Sequence, residues 1–295
     1  MFENNDNYNA LIIRGEKIQQ LADIYVANTK EDILYNWKLL HSEQERAKCY
    51  LIRDMYLLTD KIVRPCRIFC YGHCLREFSK QIHHIQQPFL LLSHNSDENM
   101  NDGTSYVSTI RECPFLVGWF SQNVSVTSYH TKGPYPLPIG IANSMWDHGN
   151  VSFVTPPHLK KNSIYFQFNV KTNVSVREPC FNILHNHIEW LPSLPPQENI
   201  ERLKTYKMCI CPEGNGYDTH RIWEALLCKT VPICLRTFFI ENITTFYNLP
   251  ILMVDSWDDI IHKRKEIEEK ADELLLQQWN IPTMESLLFL FLFFI

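Results

Sequence analysis

The stretch "CPEGNGYDTHRIWEALLCKTVPI", residues 211–233, concentrates residue types that could bind a phosphate-bearing ligand. The chain has only 9 glycines, and two of them, Gly214 and Gly216, flank Asn215 here. Glycines let a backbone approach an anion closely, and a guanidinium group matches the oxygens of a pyrophosphate. Four ionisable residues follow the glycines at once: Asp218, His220, Arg221 and Glu224. The stretch therefore indicates an anion-binding loop.

The elements around this loop are a predicted strand, "KMCICP", and a predicted helix, "HRIWEALLC". The first turn of a helix carries unpaired N–H groups and the positive end of the helix dipole, so it attracts anions. Asp218 or Thr219 could cap this helix. Arg221 and Glu224 share one helix face, where the carboxylate could accept hydrogen bonds from two ribose hydroxyls. The alternative is a surface ion pair on an ordinary capped helix.

Other nucleotide-binding and metal-binding motifs fit less well. A dinucleotide fingerprint requires a small residue where Thr219 stands, and no G-x-x-x-x-G-K-[ST] loop occurs. No Asp-x-Asp pair occurs either. We therefore expect no metal and no cofactor, with a nucleotide-diphosphate sugar as the substrate.

The string "PEGNGYDTHRIWEAL", with "VPI" and "NLPILMVDSWDDI" after it, resembles the donor-binding half of exostosin-like glycosyltransferases. The segments "PFLLLSHNSDENM", "LPIGIANSMWDHGN" and "FNVKTNVSVREPC" resemble further blocks of that family, so the resemblance covers roughly residues 66–260. It implies a two-lobed glycosyltransferase of the GT-B type. In that type the C-terminal lobe binds a sugar nucleotide and the N-terminal lobe binds the acceptor.

Carried over by position, the resemblance assigns Arg221 to the diphosphate and Glu224 to the ribose. Gly214 and Gly216 would line the phosphate loop. One position departs from the family, which usually has a glycine at the end of this helix, whereas this chain has Lys229. A left-handed cap at a residue other than glycine costs about 1 kcal/mol.

Sugar transfer requires a stabilised leaving diphosphate, a base for the acceptor hydroxyl and the exclusion of water. Arg221 is the predicted stabiliser of the leaving group. The segment "LLLSHNSDEN" places His94, Asn95 and Asp97 directly after a predicted strand. Asp97 or His94 is the predicted base, with Asp97 preferred by its family position. The alternative is a polar turn with local caps, and His73 is a third candidate for which a structural role is the alternative.

The segment "PIGIANSMWDHG" is expected at the junction of the lobes. Asn143, Asp147 and His148 could line the acceptor site there, together with Asn95. Pro138 and Gly140 could instead simply shape a turn.

The pattern along the chain predicts an α/β fold with two Rossmann-like lobes. Short apolar runs without strict alternation are typical of parallel strands covered on both faces. The predicted division is a helical N-terminal segment, an acceptor-side α/β lobe, a nucleotide-sugar-binding α/β lobe and an apolar tail, at residues 1–65, 66–154, 162–280 and 281–295. The proline-containing stretch "TPPHLKK" is the predicted linker between the lobes.

Composition narrows the class of partner and the compartment. The formal net charge of −5 and the pI of about 6.2 argue against a nucleic-acid partner. No signal peptide or anchor pattern is visible at the N-terminus. A cytoplasmic location is therefore the default expectation, while the family resemblance points to the secretory pathway.

Cysteines and the C-terminus give two further expectations. The 10 cysteines include Cys66, Cys70 and Cys74 but no C-x-x-C pair, so buried reduced thiols are expected. The final nine residues, from Leu287, are all apolar. This run is about half the length that spans a bilayer, which favours a buried strand or docked tail over contact with a membrane.

The function that these patterns predict is transfer of a sugar from a nucleotide-diphosphate donor to a glycan or another hydroxyl acceptor. The reaction is expected to be metal-independent and inverting. One alternative is a catalytically inactive relative that binds a nucleotide or a glycan. Another is an unrelated α/β scaffold whose loop binds some other phosphate.

Overall fold

Two parallel β-sheets organise the chain in the computed structural model, which describes residues 10–39, 42–153 and 160–294. The larger sheet belongs to a unit made of Ile13–Ile139 and Thr283–Ile295, here called the six-stranded unit. The smaller sheet belongs to a unit that includes Gly140–Pro282, here called the four-stranded unit.

The six-stranded sheet has the strand order β2-β1-β3-β4-β6-β8, and all its neighbours are parallel. A separate parallel pair joins β5 to β7. The strands are β1 Ile24–Ala27, β2 Cys49–Leu51, β3 Cys66–Tyr71, β4 Phe89–His94, β5 Met100–Asn101, β6 Leu116–Ser121, β7 Val124–Ser125 and β8 Tyr135–Pro136. Every residue of β4 is buried, as expected for a central strand covered on both faces.

Helices precede or follow most strands of this sheet. They are α1 Gly15–Gln20, α2 Lys30–Leu39, α3 Glu43–Arg46, α4 Leu75–Gln81 and α5 Ser105–Glu112. Short 3₁₀ helices cover Ile52–Leu58, Gly72–Cys74 and Ile82–His84.

The helical N-terminal segment predicted for residues 1–65 is wrong where β1 and β2 lie. Tyr25 lies in β1, which pairs in parallel with both β2 and β3. Three of its four residues are buried. Tertiary pairing with two neighbours outweighs the local helical spacing, because a β-branched and aromatic run fits a buried sheet.

The four-stranded sheet has the order β12-β11-β10-β9, with every pair parallel. Its strands are β9 Asn162–Tyr165, β10 Tyr206–Ile210, β11 Val231–Leu235 and β12 Leu252–Val254. The helices of this unit are α6 Val174–Leu184, α7 Pro196–Leu203, α8 His220–Leu227, α9 Phe238–Tyr247, α10 Asp259–His262 and α11 Arg264–Leu276. Strands thus alternate with helical crossovers. The predicted α/β class with two Rossmann-like units is confirmed for each unit by itself.

The boundary between the units lies at Gly140. Most of the linker predicted at Thr155–Lys161 lies outside the described residues. Residues 140–153, predicted as the end of the acceptor-side lobe, belong to the four-stranded unit. There the Gln197 side chain accepts from the Ser152 backbone N–H at 2.8 Å and donates to its carbonyl at 3.1 Å. This two-point attachment to α7 holds the segment in its unit.

The apolar tail forms a helix, α12 Met284–Leu292. A buried strand was one of the two structures expected for this segment, and that expectation is wrong. Thr283 and Ser286 form a reciprocal capping box at the start of α12, which favours a helix. The tail is docked as expected, because the Phe120 ring lies 5.0 Å from that of Phe291 and 5.3 Å from that of Phe294. Within the described ranges, no helix combines the length and apolar composition needed to cross a bilayer.

Candidate functional site

The glycine loop connects the carboxyl end of β10 to the first residue of α8, as the sequence predicts. Inside the loop, the Gly214 N–H donates to the Gly216 carbonyl at 3.2 Å. The Asn173 side chain, next to the start of α6, donates to the Gly214 carbonyl at 2.6 Å. The loop is therefore held both by its own backbone and by a neighbouring helix.

Arg221 and Glu224 form an ion pair on α8, with 2.9 Å between Nε and Oε2. The Arg221 Nη1 also donates to the Gln167 carbonyl at 3.0 Å, and the guanidinium lies 5.4 Å from the centre of the Tyr165 ring. The two side chains are only 20% and 11% exposed. They are thus largely buried, unlike an ordinary surface pair, and Ile222 and Trp223 of the same helix are buried in the core.

Arg177, on α6, is a second cation at the loop that the sequence analysis did not single out. Its Nε donates to the Glu213 carbonyl at 2.8 Å, and its Nη1 donates to the Asn169 carbonyl at 2.9 Å. A Cβ on Gly214 would stand 3.3 Å from the Arg177 Nη2, so the glycine makes room for this guanidinium. Arg177 belongs to the segment "FNVKTNVSVREPC", and the resemblance of that segment to a family block was the feature of the sequence that could have pointed to this residue.

The electrostatics of the loop combine two neighbouring guanidinium groups with one paired carboxylate. Burial alone would lower the pKa of Arg221, but the Glu224 carboxylate raises it, and the net direction is upward. Burial lowers the pKa of Arg177, and the like charge of Arg221 lowers it further. An anion placed beside both groups would relieve this repulsion.

The start of α8 differs from the predicted capping. Thr219 is the N-cap residue, but its side chain makes no capping hydrogen bond. Asp218 accepts from the Trp223 ring nitrogen at 2.8 Å, and thereby orients that ring. The Thr219 Oγ1 and the Glu213 Oε1 are buried and have no hydrogen-bond partner among the described residues. Buried polar atoms normally have partners, so this loop suits a ligand that supplies them.

Three residues predicted on the acceptor side lie in the same unit as the glycine loop. Asn143 is buried, and Asp147 and His148 are exposed at the segment that packs on α7. The His148 ring lies 6.2 Å from that of His220, whose Nδ1 is 2.9 Å from the Gly140 carbonyl oxygen. The structure therefore joins His148 to a predicted donor-site residue within one unit.

The candidates for the base lie at the carboxyl end of β4 in the six-stranded unit. His94 is only 1% exposed, and its Nε2 lies 2.9 Å from the Pro138 carbonyl oxygen, which can only accept a hydrogen bond. Its Nδ1 lies 3.2 Å from the amide oxygen of Asn95, a residue with a left-handed φ of 54°. Asp97 is exposed, two residues further along. Of the two candidates, Asp97 is the accessible one, whereas His94 is built into the packing.

His73, the third candidate, lies on the 3₁₀ helix after β3, with its Nε2 3.1 Å from the Asp32 carboxylate. Arg67, at the other end of β3, pairs with Asp23 at 3.2 Å. His73 therefore has a carboxylate partner from the N-terminal part of the same unit.

No known protein family and no curated protein matches this sequence. Among solved structures, the chain is similar to the crystal structure of TarM, with a TM-score of 0.39 and 12% sequence identity. The similarity covers 77% of this chain and 54% of the TarM chain, so this chain spans about half the length of that protein. At this TM-score the likeness carries no functional argument. The proposed function rests instead on the geometry of the loop.

Proposed function

We propose that this protein is a glycosyltransferase that moves a sugar from a nucleotide-diphosphate donor to a hydroxyl acceptor. The proposal includes a metal-independent, inverting reaction, an exostosin-like origin and a glycan or other hydroxyl compound as the acceptor. The observation that carries it is the arrangement around the glycine loop, where two largely buried guanidinium groups and one carboxylate surround a strand-to-helix turn.

Each part of a nucleoside diphosphate has a suitable group at this loop. Arg177 and Arg221 can donate charge-assisted hydrogen bonds to the diphosphate. The negative charge of the diphosphate would compensate the repulsion between these two cations. The Glu224 carboxylate, one helical turn from Arg221, can accept from the two ribose hydroxyls. The first N–H groups of α8 add the positive end of a helix dipole.

The proposed reaction is a single displacement at the anomeric carbon. The acceptor oxygen forms a bond to that carbon, the bond to the donor phosphate oxygen breaks, and the nucleoside diphosphate leaves with the electron pair. Asp97 takes the proton of the acceptor hydroxyl. Arg221 stabilises the negative charge that grows on the leaving group, which is the electrostatic role that a metal fills in other transferases.

The test is calorimetric titration with UDP, GDP and inorganic phosphate, together with a screen of sugar nucleotides for hydrolysis. We expect Arg221→Ala to lose a charged hydrogen bond of about 1.5–3 kcal/mol, or roughly ten- to a hundred-fold in nucleotide affinity. The matched control is Arg264→Ala, which breaks the ion pair of Arg264 with Glu268 on α11. If Arg221→Ala binds nucleotide like the parent, the donor site is not at this loop.

The metal-independent mechanism is tested separately with EDTA. Transfer that persists in EDTA and is not stimulated by manganese supports the proposal. Complete loss of turnover that manganese restores would replace this mechanism with a metal-dependent one.

A second function, nucleotide or glycan binding without transfer, is favoured by one observation. His94 is buried, and its Nε2 lies next to a carbonyl oxygen. The exposed Asp97 would therefore have to act as the base without assistance from His94. Nucleoside diphosphate binding without hydrolysis or transfer for any donor would support this function. A response to inorganic phosphate alone would indicate the unrelated phosphate-binding scaffold.

A further inference from the structure

Three different metal-ligating side chains converge in the six-stranded unit, and one of them, His73, is the third candidate for the base. They are Asp32 on α2, and His73 and Cys74 on the 3₁₀ helix that follows β3. Their ligand atoms all lie within 4.8 Å of one another. The Nε2 of His73 is 3.1 Å from the Asp32 Oδ1, and the Cys74 Sγ is 3.8 Å from the Asp32 Oδ2.

These separations are close to those of a tetrahedral zinc site. Bond lengths of about 2.0–2.1 Å to oxygen and nitrogen and about 2.3 Å to sulfur place tetrahedral ligand atoms roughly 3.3–3.6 Å apart. The observed 3.1 and 3.8 Å end on the two different oxygens of Asp32, and all three ligand atoms lie within 4.8 Å of one another. Rotation of the carboxylate and a small approach of His73 and Cys74 would bring one oxygen, the imidazole and the thiolate to this spacing. A thiolate, an imidazole and a carboxylate together form a mixed set that suits zinc better than magnesium or calcium.

The surroundings already orient Asp32 and His73 as outer partners orient metal ligands. The Asp32 Oδ2 accepts from both the backbone N–H and the hydroxyl of Thr29, each at 2.9 Å. The His73 ring stacks on that of Tyr71 with 5.4 Å between centroids. The Thr29 hydroxyl also accepts from the backbone N–H of Asp32 at 3.2 Å, which fixes the start of α2.

The same geometry argues against a catalytic thiol. A cysteine nucleophile requires a base within hydrogen-bond reach and access for the substrate. Asp32 and His73 could serve as that base, but Cys74 is fully buried, which denies a substrate access to its sulfur. The Cys70 thiol donates to its neighbour's carbonyl at 3.4 Å and is not part of the cluster.

We propose that Asp32, His73 and Cys74 bind one zinc ion, with a fourth position open to water beside the half-exposed His73. Zinc would displace the thiol proton and replace the direct contacts among the three groups with bonds to the metal. Because Asp32 belongs to α2 and the other two ligands follow β3, the ion would fasten α2 to the sheet. We therefore expect the ion to stabilise the attachment of α2 and to take no part in donor binding, although its open fourth position differs from a closed four-ligand zinc site.

The test uses the full chain, stripped with a chelator and then titrated with Zn²⁺ by calorimetry and with Co²⁺ by absorption. We expect one ion per chain and a thiolate-to-cobalt charge-transfer band with tetrahedral d–d bands. Bound zinc should raise the melting temperature, since a ligand that binds only the folded state stabilises it. Absence of stoichiometric zinc binding, or a cobalt spectrum without a thiolate band, would overturn the proposal.

Three variants locate the ion. His73→Gln, at an exposed position, should weaken zinc binding by at least about 10–100-fold. Mutation of a residue that only supports a metal ligand already lowers metal affinity by that factor. Cys74→Ser should remove the thiolate band. The matched control His83→Gln changes another histidine of the same unit, on the 3₁₀ helix Ile82–His84, and should bind zinc like the parent. Equal loss in His83→Gln and His73→Gln would place the metal elsewhere.

Failure of this proposal and failure of the proposed function are distinguishable. Zinc binding is measured without any nucleotide, and nucleotide binding is measured on variants of the other unit. Cys74→Ser should leave UDP affinity unchanged below the melting temperature, and Arg221→Ala should leave zinc affinity unchanged.

Discussion

Glu224 has two possible partners, the Arg221 guanidinium that it contacts at 2.9 Å and, in the proposed complex, the ribose of a nucleotide. Replacing its carboxylate with an amide of the same shape separates these roles. A charged acceptor holds two hydroxyls more strongly than a neutral one does, because charge-assisted hydrogen bonds are roughly twice as strong. The prediction is therefore selective for the nucleoside part of the ligand.

We expect Glu224→Gln to weaken UDP and GDP binding by about ten-fold or more, equivalent to 1.4 kcal/mol, and to leave the affinity for inorganic phosphate nearly unchanged. Calorimetry with the three ligands checks this. Glu268→Gln, which alters the exposed pair with Arg264, is the control. An equal loss for phosphate and nucleotide would assign Glu224 to positioning Arg221 instead of holding the ribose.

Asp97 is the residue whose removal should affect chemistry without affecting donor binding. The side chain is exposed after β4, so Asp97→Asn should fold normally. General base catalysis typically contributes about 10²–10⁴-fold, and we expect transfer to fall by that factor while UDP affinity stays within about two-fold of the parent. Asp60→Asn, at another exposed carboxylate of the same unit, is the control. Normal turnover in Asp97→Asn would require another base.

Site residues could be predicted from the sequence where the chemistry lies within one short segment. Arg221 and Glu224 stand three residues apart, and the helical period alone places them on one face. Arg177 contacts the loop carbonyl of a residue 36 positions away, and Asp32 meets His73 across 41 positions. Local spacing contains no information about such pairs, which is why both were missed.

At the scale of the element, the end of α8 shows how an unfavourable residue is accommodated. The Thr230 N–H donates to the Ala225 carbonyl at 2.8 Å and the Lys229 N–H to the Leu226 carbonyl at 3.0 Å, which is a Schellman motif. Lys229 has the left-handed φ of 56° that the missing glycine predicts. Its Nζ donates to the Gln277 carbonyl at 3.0 Å and lies 4.5 Å from the centre of the Trp279 ring. These contacts offset the backbone strain.

Two substitutions separate the strain from the contacts. Lys229→Ala keeps the strained backbone and loses the cation–π contact, so we expect a loss of about 0.5–1 kcal/mol in the free energy of unfolding. Lys229→Gly also relieves a strain of about 1 kcal/mol, so its stability should stay near that of the parent. Urea unfolding of both variants measures the difference. Equal stabilities for the alanine and glycine variants would show that the backbone is not strained there.

Elements with several consistent signals could be predicted, and short ones could not. The strand β10 and the helix α8 combine apolar runs with turn residues, and both predictions agree with the structure. β1 has four residues and β2 has three, so neither spans enough chain for a period to be read. Their strand conformation is imposed by pairing with β3, which is information about the whole sheet. The nine apolar residues from Leu287 show neither a helical nor a strand period. Thr283 and Ser286, which form the capping box of α12, are the residues that indicate a helix at this position.

For the whole molecule, the cysteines act together through their burial. All 10 are free thiols, and all except the half-buried Cys49 are buried, which confirms the expected burial of the cysteines. Burial raises the pKa of Cys49 to about 11 and that of Cys66 to about 12. Thiols in the unfolded chain titrate near pH 9, so above that pH the unfolded state binds fewer protons than the folded state.

The free energy of unfolding should therefore fall as the pH rises from about 9 to 11. Lys17 and Lys160 act in the opposite direction, because burial lowers the pKa of each to about 8, but they are outnumbered by the buried thiols. We expect a loss of at least about 1 kcal/mol between pH 9 and 10. Urea unfolding in a reducing buffer at these two pH values measures it. A midpoint that rises with pH would mean that the lysines dominate.

The docking of α12 has a consequence for the order of events during synthesis. The six-stranded unit is built from Ile13–Ile139 and from a last segment that begins at Thr283. Phe120 and Gly118, which receive Phe291 and Phe294, leave the ribosome long before those rings exist. At about 5–20 residues per second, the intervening residues 140–282 take on the order of 10–30 s to make. During that interval the apolar face of β6 that receives α12 is uncovered, so a nascent chain stalled before Thr283 is expected to depend on a chaperone to stay soluble.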